Sequence, residues 1–376
     1  MNTFLCSTRL FFGDNALQAL ETLHAQRVLL MTDPFFTKNG TAQRVLSHLP
    51  GAQSAIFDQI QGEPSLETVA QGAAALQDAR PDTVVALGGG SAIDCAKGMW
   101  LFYEHPDTSF DGLRQRFLDI RKRAFKFPKL GQKAKLVAIP TTSGTGSEVT
   151  SFSILTHQGV KHPLIDERIR PQIAILDDSL LGELPKGLIA DAGMDALTHC
   201  LEAAASQNAN AFTGAFAYSA FRTVLETLPA SFAGDRSVRG RIHQAACMAG
   251  IAFDNAGLGV CHALSHALGG AFHLPHGRLN AILLPHVLRF NAAFAPYAEL
   301  AAYCRLSGTQ GLVLALQRLC RRLELPESLS AAGLERAAVE AQADAVCRAA
   351  LADPCLASNP RPVSLEDLRT LLRAAL

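Results

Sequence analysis

The hydrophobic pattern changes character near the middle of the chain. In the first half, apolar runs of strand length alternate with longer stretches of helical period. Residues 1–13 (MNTFLCSTRLFFG) alternate as a strand does. Arg27–Thr32, Gln53–Phe57, Thr83–Leu87, Leu136–Ile139, Val149–Thr156 and Ile173–Leu176 are further strand candidates, rich in β-branched and aliphatic residues. A helix-periodic stretch follows Gly88-Gly89-Gly90-Ser91 and runs through Trp100. Strands alternating with helices imply βαβ units and a parallel sheet. After Leu184-Pro185-Lys186 the pattern turns helical and Ala-rich, with no convincing strand run. The prediction is α/β plus all-α: a parallel-sheet domain over 1–185 and an all-helical domain over 186–376.

Composition narrows the function classes. The 376 residues carry 34 basic and 34 acidic side chains, so the net charge is zero. That balance argues against a dedicated nucleic-acid binder. A hydrophobic share of 48% excludes intrinsic disorder. No apolar run reaches the ~18 residues of a membrane span, so no membrane partner is expected. The N-terminus lacks the basic and apolar regions of a secretory signal. Nine scattered cysteines, odd in number and without C-x-x-C, fit reduced thiols in a cytoplasmic protein.

The charge is unevenly placed. Leu113 to Lys135 holds nine basic residues against the single acid Asp119. It lies between two predicted core strands, so a surface insertion over about 108–135 is expected, solvated or in contact with another subunit. From Ile242 to Gly277 the one formally charged side chain is Asp254, yet five of the chain's 12 histidines gather there.

Three patterns carry candidate chemistry. A strand running into Gly-Gly-Gly-Ser and opening a helix lets the backbone approach a pyrophosphate at the helix N-terminus. Taken alone, it also reads as a plain structural turn, and it is not the G-x-G-x-x-G fingerprint. Asp33 ends an earlier strand, where a carboxylate accepts ribose hydroxyls and repels a 2′-phosphate. An Asp-Pro turn is the alternative there. Pro140 to Thr150 (PTTSGTGSEVT) adds a second hydroxyl- and glycine-rich turn, with Thr141, Thr142, Ser143 and Ser147 as polar contacts. In open α/β sheets, ligands bind beyond the carboxyl ends of the strands.

The third pattern is a donor set. Asp195 and His199 stand at i and i+4, His262 and His266 repeat that spacing, and His276 follows between Pro275 and Gly277, which suggest a turn or helix end. One carboxylate with three imidazoles suits a first-row divalent metal such as Fe, Zn, Ni or Co rather than Ca or Mg. His243 also lies in this stretch. Asp195, His199, His262, His266 and His276 are five candidates for four ligand positions, which leaves a spare that could carry a proton.

GGGSAIDCAK at 88–97, PTTSGTGSEVT at 140–150, DALTHCLEA at 195–203 and GLGVCHALSHALGGAFHLPHG at 257–277 resemble the iron-dependent (group III) alcohol dehydrogenases, in the family's order and over nearly the whole chain. The likeness is greatest to the alcohol dehydrogenase half of bifunctional aldehyde-alcohol dehydrogenases, which the basic segment RFLDIRKRAFKFPKLGQKAK at 116–135 also resembles. Propanol dehydrogenases of bacterial microcompartments are similar stand-alone relatives. The resemblance places the chain's start at the first strand of the alcohol dehydrogenase unit, so no aldehyde dehydrogenase half is expected here.

The resemblance implies a Rossmann-like N-terminal domain and a helical C-terminal domain, the dehydroquinate synthase-like architecture, with the active site in a cleft between them. It implies Asp195, His199, His262 and His276 as metal ligands, with Fe2+ bound, or Zn2+ or another first-row metal. It places His266 near the nicotinamide as a catalytic proton carrier. For NAD(H) it implies Asp33 at the ribose, Gly89, Gly90 and Ser91 at the pyrophosphate, Thr141, Thr142 and Ser147 toward the adenosine, and Asp94 and Lys161 within the cofactor-binding set. HPLIDERIRPQ after Lys161 departs from the family's usual wording. Phe253 and Phe152 would line the substrate pocket, and an aromatic at 152 cannot bond a second hydroxyl. The expected activity is NAD-dependent interconversion of small unbranched primary alcohols and aldehydes, running toward aldehyde reduction. A homodimer or larger homo-oligomer is expected, with a microcompartment or an aldehyde dehydrogenase as further partners. A lyase of the dehydroquinate synthase type would need basic residues for an acidic substrate, and 242–277 has no Lys or Arg. A purely structural role, with the basic insertion driving assembly, is the non-enzyme alternative.

Overall fold

The computed structural model describes residues 3–62, 64–110, 113, 127–157, 160–182 and 184–376. Most of the predicted basic insertion, residues 111, 112 and 114–126, lies outside them. The described chain divides into two units: Cys6–Thr142 with Gly146–Glu183, and Leu184–Leu376 with Met1–Leu5 and Ser143–Thr145.

The first unit is built on β1 (Arg9–Gly13), β2 (Arg27–Met31), α1 (Pro34–Lys38), α2 (Thr41–Ser47), β3 (Gln53–Phe57), α3 (Leu66–Ala79), β4 (Thr83–Gly88), α4 (Gly90–Glu104), β5 (Lys135–Pro140), β6 (Phe152–His157), β7 (Val160–Ile165) and β8 (Ile173–Asp177). Six strands pair in the order β1-β8-β5-β4-β2-β3, every pair parallel. Successive residues of a strand point to opposite faces, and both faces of this sheet are packed. Leu29, Met31, Val84, Ala86, Leu136 and Ala138 join a core with Val69, Leu76, Ile93 and Trp100. Val28, Leu30, Val85, Leu87, Val137 and Ile139 join a second core with Leu20, Val45 and Ile175. Covering both faces explains why these strands read as continuous apolar runs. Trp100 is fully buried and donates through Nε1 to the Ala134 carbonyl at 2.9 Å. The buried Glu104 accepts the main-chain N–H groups of Gln132, Lys133 and Ala134, which fixes the chain's entry into β5.

Two details correct the sequence reading. The Val149–Thr156 candidate begins later, because Ser147–Val149 forms a 3-10 turn and β6 starts at Phe152. It also leaves the parallel sheet and pairs antiparallel with β7. β7 escaped notice because Lys161, His162 and Pro163 interrupt its apolar run; it needs one partner strand, and Pro is tolerated at such an edge.

The second unit is helical, with no strand among its described residues. It contains α5 (Lys186–Ala205), α6 (Ala211–Phe232), α7 (Arg239–Ala256), α8 (Val260–Phe272) and α9 (His276–Phe290), then four further helices. The apolar side chains Ile189, Met194, Leu197, Phe221, Val224, Leu228, Ile251 and Leu264 on α5 to α8 are buried. Leu5 is tied to α7 through Asn255, which accepts its N–H at 2.7 Å and donates to its carbonyl at 3.0 Å. Among the described residues no single helix is long and apolar enough to cross a membrane.

Candidate metal centre and nucleotide site

The helical period sets the donor atoms of the second unit. Asp195, His199 and Glu202 stand at i, i+4 and i+7 of α5, one face of one helix. His262 and His266 lie one turn apart on α8. His276 opens α9 directly after Pro275, so the turn signalled by Pro275 and Gly277 is a helix start. The next residue, Gly277, lies so close to α5 that a Cβ on it would sit 1.9 Å from the Asp191 carbonyl oxygen. That approach brings His276 to α5.

Three imidazole nitrogens converge on one carboxylate oxygen. The Nε2 atoms of His199, His262 and His276 lie 3.6, 3.5 and 3.5 Å from Asp195 Oδ1. Ligands about 2.1 Å from a tetrahedral metal are about 3.4 Å apart, so the spacing fits one ion. The donor atoms of Asp195, His262 and His276 are all within 4.8 Å of one another. Asp195, His199 and His262 are buried, and the His276 side chain is 33% exposed. An N₃O set of this kind fits a first-row divalent cation.

The electrostatics ask for a positive charge. Burial works against the Asp195 carboxylate, yet His199, His262 and His276 hold it well below the usual range. Burial pushes His199 down to about 4 and carries His276 well below its ordinary value, which leaves their lone pairs free for a metal. Burial also opposes charge on His262, but Glu202 and Asp195 outweigh it and raise the ring to about 9.

Three site residues escaped the sequence reading. Glu202 Oε2 accepts from His262 Nδ1 at 2.6 Å, and its Oε1 takes the Cys261 N–H at 2.7 Å. A carboxylate on the far nitrogen fixes a ligand's tautomer and raises its basicity. Asn280, fully buried, donates through Nδ2 to Asp195 Oδ1 at 2.9 Å and lies 3.2 Å from His276 Nε2. Asp353 Oδ2 is 2.8 Å from His266 Nδ1. Asp353 is held at about 2, because the adjacent His266 and bonds to Cys355 outweigh its burial. Local spacing could have found two of them. Glu202 continues the i, i+4, i+7 face of α5, and Asn280 stands four residues after His276. We expect Glu202→Gln to weaken divalent-metal affinity by about 10–100-fold, read by competition against a chelator; unchanged affinity would remove the supporting role of Glu202.

Phe253 stacks on His199, ring centroids 4.3 Å apart, so this aromatic lies beside the candidate donor set. His243 stands apart from the set, with Nδ1 3.0 Å from Ser143 Oγ.

Of the predicted nucleotide residues, Asp33, Gly89, Gly90, Ser91, Thr141 and Thr142 gather in the first unit, at or just beyond the carboxyl ends of the neighbouring strands β2, β4 and β5. Gly88 closes β4 with φ of +147°, and a Cβ there would meet Ala92 at 2.7 Å. Gly89 caps α4 with no side-chain cap, Gly90 begins the helix, and Ser91 is exposed in its first turn. The N–H groups at this end are therefore available to an anion. Thr142 flanks Gly89, its Oγ1 3.4 Å from where a Cβ would stand. Thr141 is buried and donates its N–H to the Gly88 carbonyl at 3.0 Å. Asp33 caps α1 by accepting the Phe35 N–H through Oδ1 at 2.8 Å.

Asp94 and Ser147 are bonded to each other, and Asp94 Oδ2 accepts the Ile154 N–H at 2.9 Å. Burial raises the Asp94 carboxyl despite nearby Lys97. Lys97, 0% exposed, donates to Ser147 Oγ at 3.2 Å and to the carbonyls of Thr150 and Phe152 at 2.9 and 2.6 Å. Phe152 is half-buried at the start of β6. Lys161 pairs with Thr156 in β7, and its side chain lies outside the described residues.

Residues 7–178 match the model of the iron-containing alcohol dehydrogenases, and residues 189–376 match that of the family's C-terminal part. The chain is 41% identical over 389 residues to the bifunctional aldehyde-alcohol dehydrogenase of Escherichia coli (strain K12), covering 95% of this chain and 44% of that protein. It thus spans less than half the length of that relative. It is 36% identical over 384 residues to the NADPH-dependent butanol dehydrogenase of Clostridium saccharobutylicum, covering 99% and 97% of the two chains. The structure of an iron-containing alcohol dehydrogenase from Thermococcus thioreducens superposes with a TM-score of 0.93 at 33% identity, covering 99% of each chain. The chain belongs to the iron-containing alcohol dehydrogenase family.

Proposed function

We propose that this protein is a metal-dependent alcohol dehydrogenase that interconverts small primary alcohols and aldehydes with NAD(H), working chiefly as an aldehyde reductase. The observation that carries this reading is the convergence of three imidazole nitrogens on Asp195 Oδ1. When bound, a divalent metal supplies Lewis acidity toward the substrate oxygen and the dinucleotide supplies the hydride donor or acceptor. Asp195, His199, His262 and His276 hold the metal. Glu202 orients His262, and Asn280 orients Asp195. His266 carries the proton of the substrate hydroxyl. Gly89, Gly90 and Ser91 bind the pyrophosphate at the α4 N-terminus, with Thr141 and Thr142 beside them. Asp33 binds the ribose and disfavours a 2′-phosphate, which favours NAD(H) over NADP(H). Lys161 belongs to the cofactor-binding set. Asp94 and Ser147 serve it by shaping the loop that follows β5.

Phe253 and Phe152 bound the substrate side. Neither phenyl ring can bond a second hydroxyl, so unbranched primary alcohols and aldehydes fit better than 1,2-diols. The protein acts as a homo-oligomer in the cytoplasm or inside a bacterial microcompartment, with an aldehyde dehydrogenase as supplier of aldehyde. The boundary between the nucleotide and metal-binding domains falls near residue 185.

The test is direct. Protein purified without air and reloaded with Fe(II) or Zn(II) is expected to oxidise NADH with acetaldehyde, propanal or butanal, and NADPH more slowly. No cofactor oxidation with any of the three aldehydes would overturn the reading. Faster turnover with NADPH would overturn the role of Asp33.

A further inference from the structure

Two histidines one turn apart on α8 each meet a carboxylate at Nδ1. For His262 it is Glu202, from α5. For His266 it is Asp353, 87 residues further along the chain, just before the 3-10 turn Pro354–Ser358. The second oxygen of Asp353 accepts the Cys355 N–H at 2.8 Å. Both carboxylate oxygens are therefore occupied by donors. An ionised carboxylate accepts and cannot donate, so the His266 ring must carry its hydrogen on Nδ1. The lone pair then lies on Nε2. That nitrogen has no hydrogen-bond partner among the described residues, and the side chain is 27% exposed. The ring of His276 stacks on His266 at 5.1 Å and 16°, which limits tilting.

We propose that Asp353 is the positioning residue of His266, fixing the ring so that Nδ1 bears the hydrogen and Nε2 faces the open side as a proton acceptor. This deepens the dehydrogenase reading and rests on it. Alcohol plus NAD+ gives aldehyde plus NADH plus H+. The carbon-bound hydrogen leaves with its electron pair, and the oxygen-bound hydrogen leaves as the proton. His266 Nε2 takes that proton and passes it to solvent; in aldehyde reduction it returns one. A ring with hydrogen on Nε2 and its lone pair toward Asp353 could not accept it.

Asp353→Asn separates positioning from folding. Its oxygen can still cap Cys355, while its amide turns N–H groups toward Nδ1, so the ring must move its hydrogen to Nε2. Long-range 1H–15N correlation spectra of the full chain read this, with His266→Gln identifying the signals. The wild type is expected to show Nε2 as the bare nitrogen, and Asp353→Asn to show Nδ1. Aldehyde reduction by Asp353→Asn should fall by about 10²–10⁴-fold in kcat, with KM and metal content unchanged. Asp353→Glu, which keeps the carboxylate, should recover part of the loss. A wild-type ring with hydrogen on Nε2, a wild-type kcat in Asp353→Asn, or a kcat loss that parallels metal loss would overturn the proposal. If the wild type itself reduces no aldehyde, the functional reading fails, and the wild-type spectrum still decides whether Asp353 sets the ring.

Discussion

Replacing Asp195 with asparagine is expected to leave a folded protein that loses divalent metal on desalting and no longer reduces aldehydes. Three imidazole nitrogens lie 3.5–3.6 Å from the same oxygen of Asp195, so it is the hub of the donor set. Asparagine keeps the shape and can still accept from Asn280, but it removes the negative charge in a buried site where nothing else in the N₃O set supplies one. The loss of metal affinity should exceed the ~10–100-fold expected from removing an outer partner such as Glu202. Elemental analysis after desalting measures it. A second reading comes from linkage: a ligand at 100 times its Kd stabilises the folded state by about 2.7 kcal/mol. Added Fe(II) or Zn(II) should therefore raise the wild-type Tm and leave that of Asp195→Asn in place. A variant that keeps its metal and its Tm response would show that the ion is held elsewhere.

Lys97→Met is expected to destabilise the first unit by about 3–5 kcal/mol, the loss typical when one partner of a buried polar network is removed. Methionine nearly matches the side chain's volume, so cavity formation is minor. What disappears is an ammonium that gathers Ser147, the carbonyls of Thr150 and Phe152, and, at 3.9 Å, the carboxylate of Asp94. Those acceptors would stay buried with fewer donors. Trp100, the chain's single tryptophan, is buried three residues further along α4. Its fluorescence during urea unfolding reports on this helix. An unchanged midpoint would mean that the network contributes nothing net. Under the proposed pocket role of Phe152, whose carbonyl is one of the freed acceptors, KM for the aldehyde should also rise.

The sequence revealed most where chemistry repeats at a local period. Gln53–Phe57 was read at its observed bounds, and β2, β4, β5 and β8 within one residue, because a sheet buried on both faces writes itself as apolar runs; β1, read over 1–13, begins only at Arg9. Asp195 with His199, and His262 with His266, were legible because i and i+4 share a helix face. The supporting groups were not. Glu202 and Asn280 sit in the same motifs, but a carboxylate or an amide inside a helix reads as ordinary polarity until its partner is seen. Asp353 has no local signal at all, since 87 residues separate it from His266. Lys97 was not singled out in the sequence, and only its burial reveals its role. The antiparallel β6–β7 ribbon was half-read for a related reason. Its second strand contains Lys161, His162 and Pro163, which a core strand excludes and an edge tolerates.

The pairing of β1 with β8 has a kinetic consequence. Phe11 at the sheet's edge lies opposite Ile175, 164 residues later in the chain. At about 5–20 residues per second, roughly 8–33 s of synthesis separate the two. During that interval β1 has no neighbour to bond, and β5, once it is made, lacks the strand that should flank it. A nascent chain therefore exposes two open strand edges until β8 arrives, a non-local topology that slows folding and invites pairing with other chains. Interruption of synthesis before residue 173 should yield chains that depend on chaperones, whatever the stability of the finished protein.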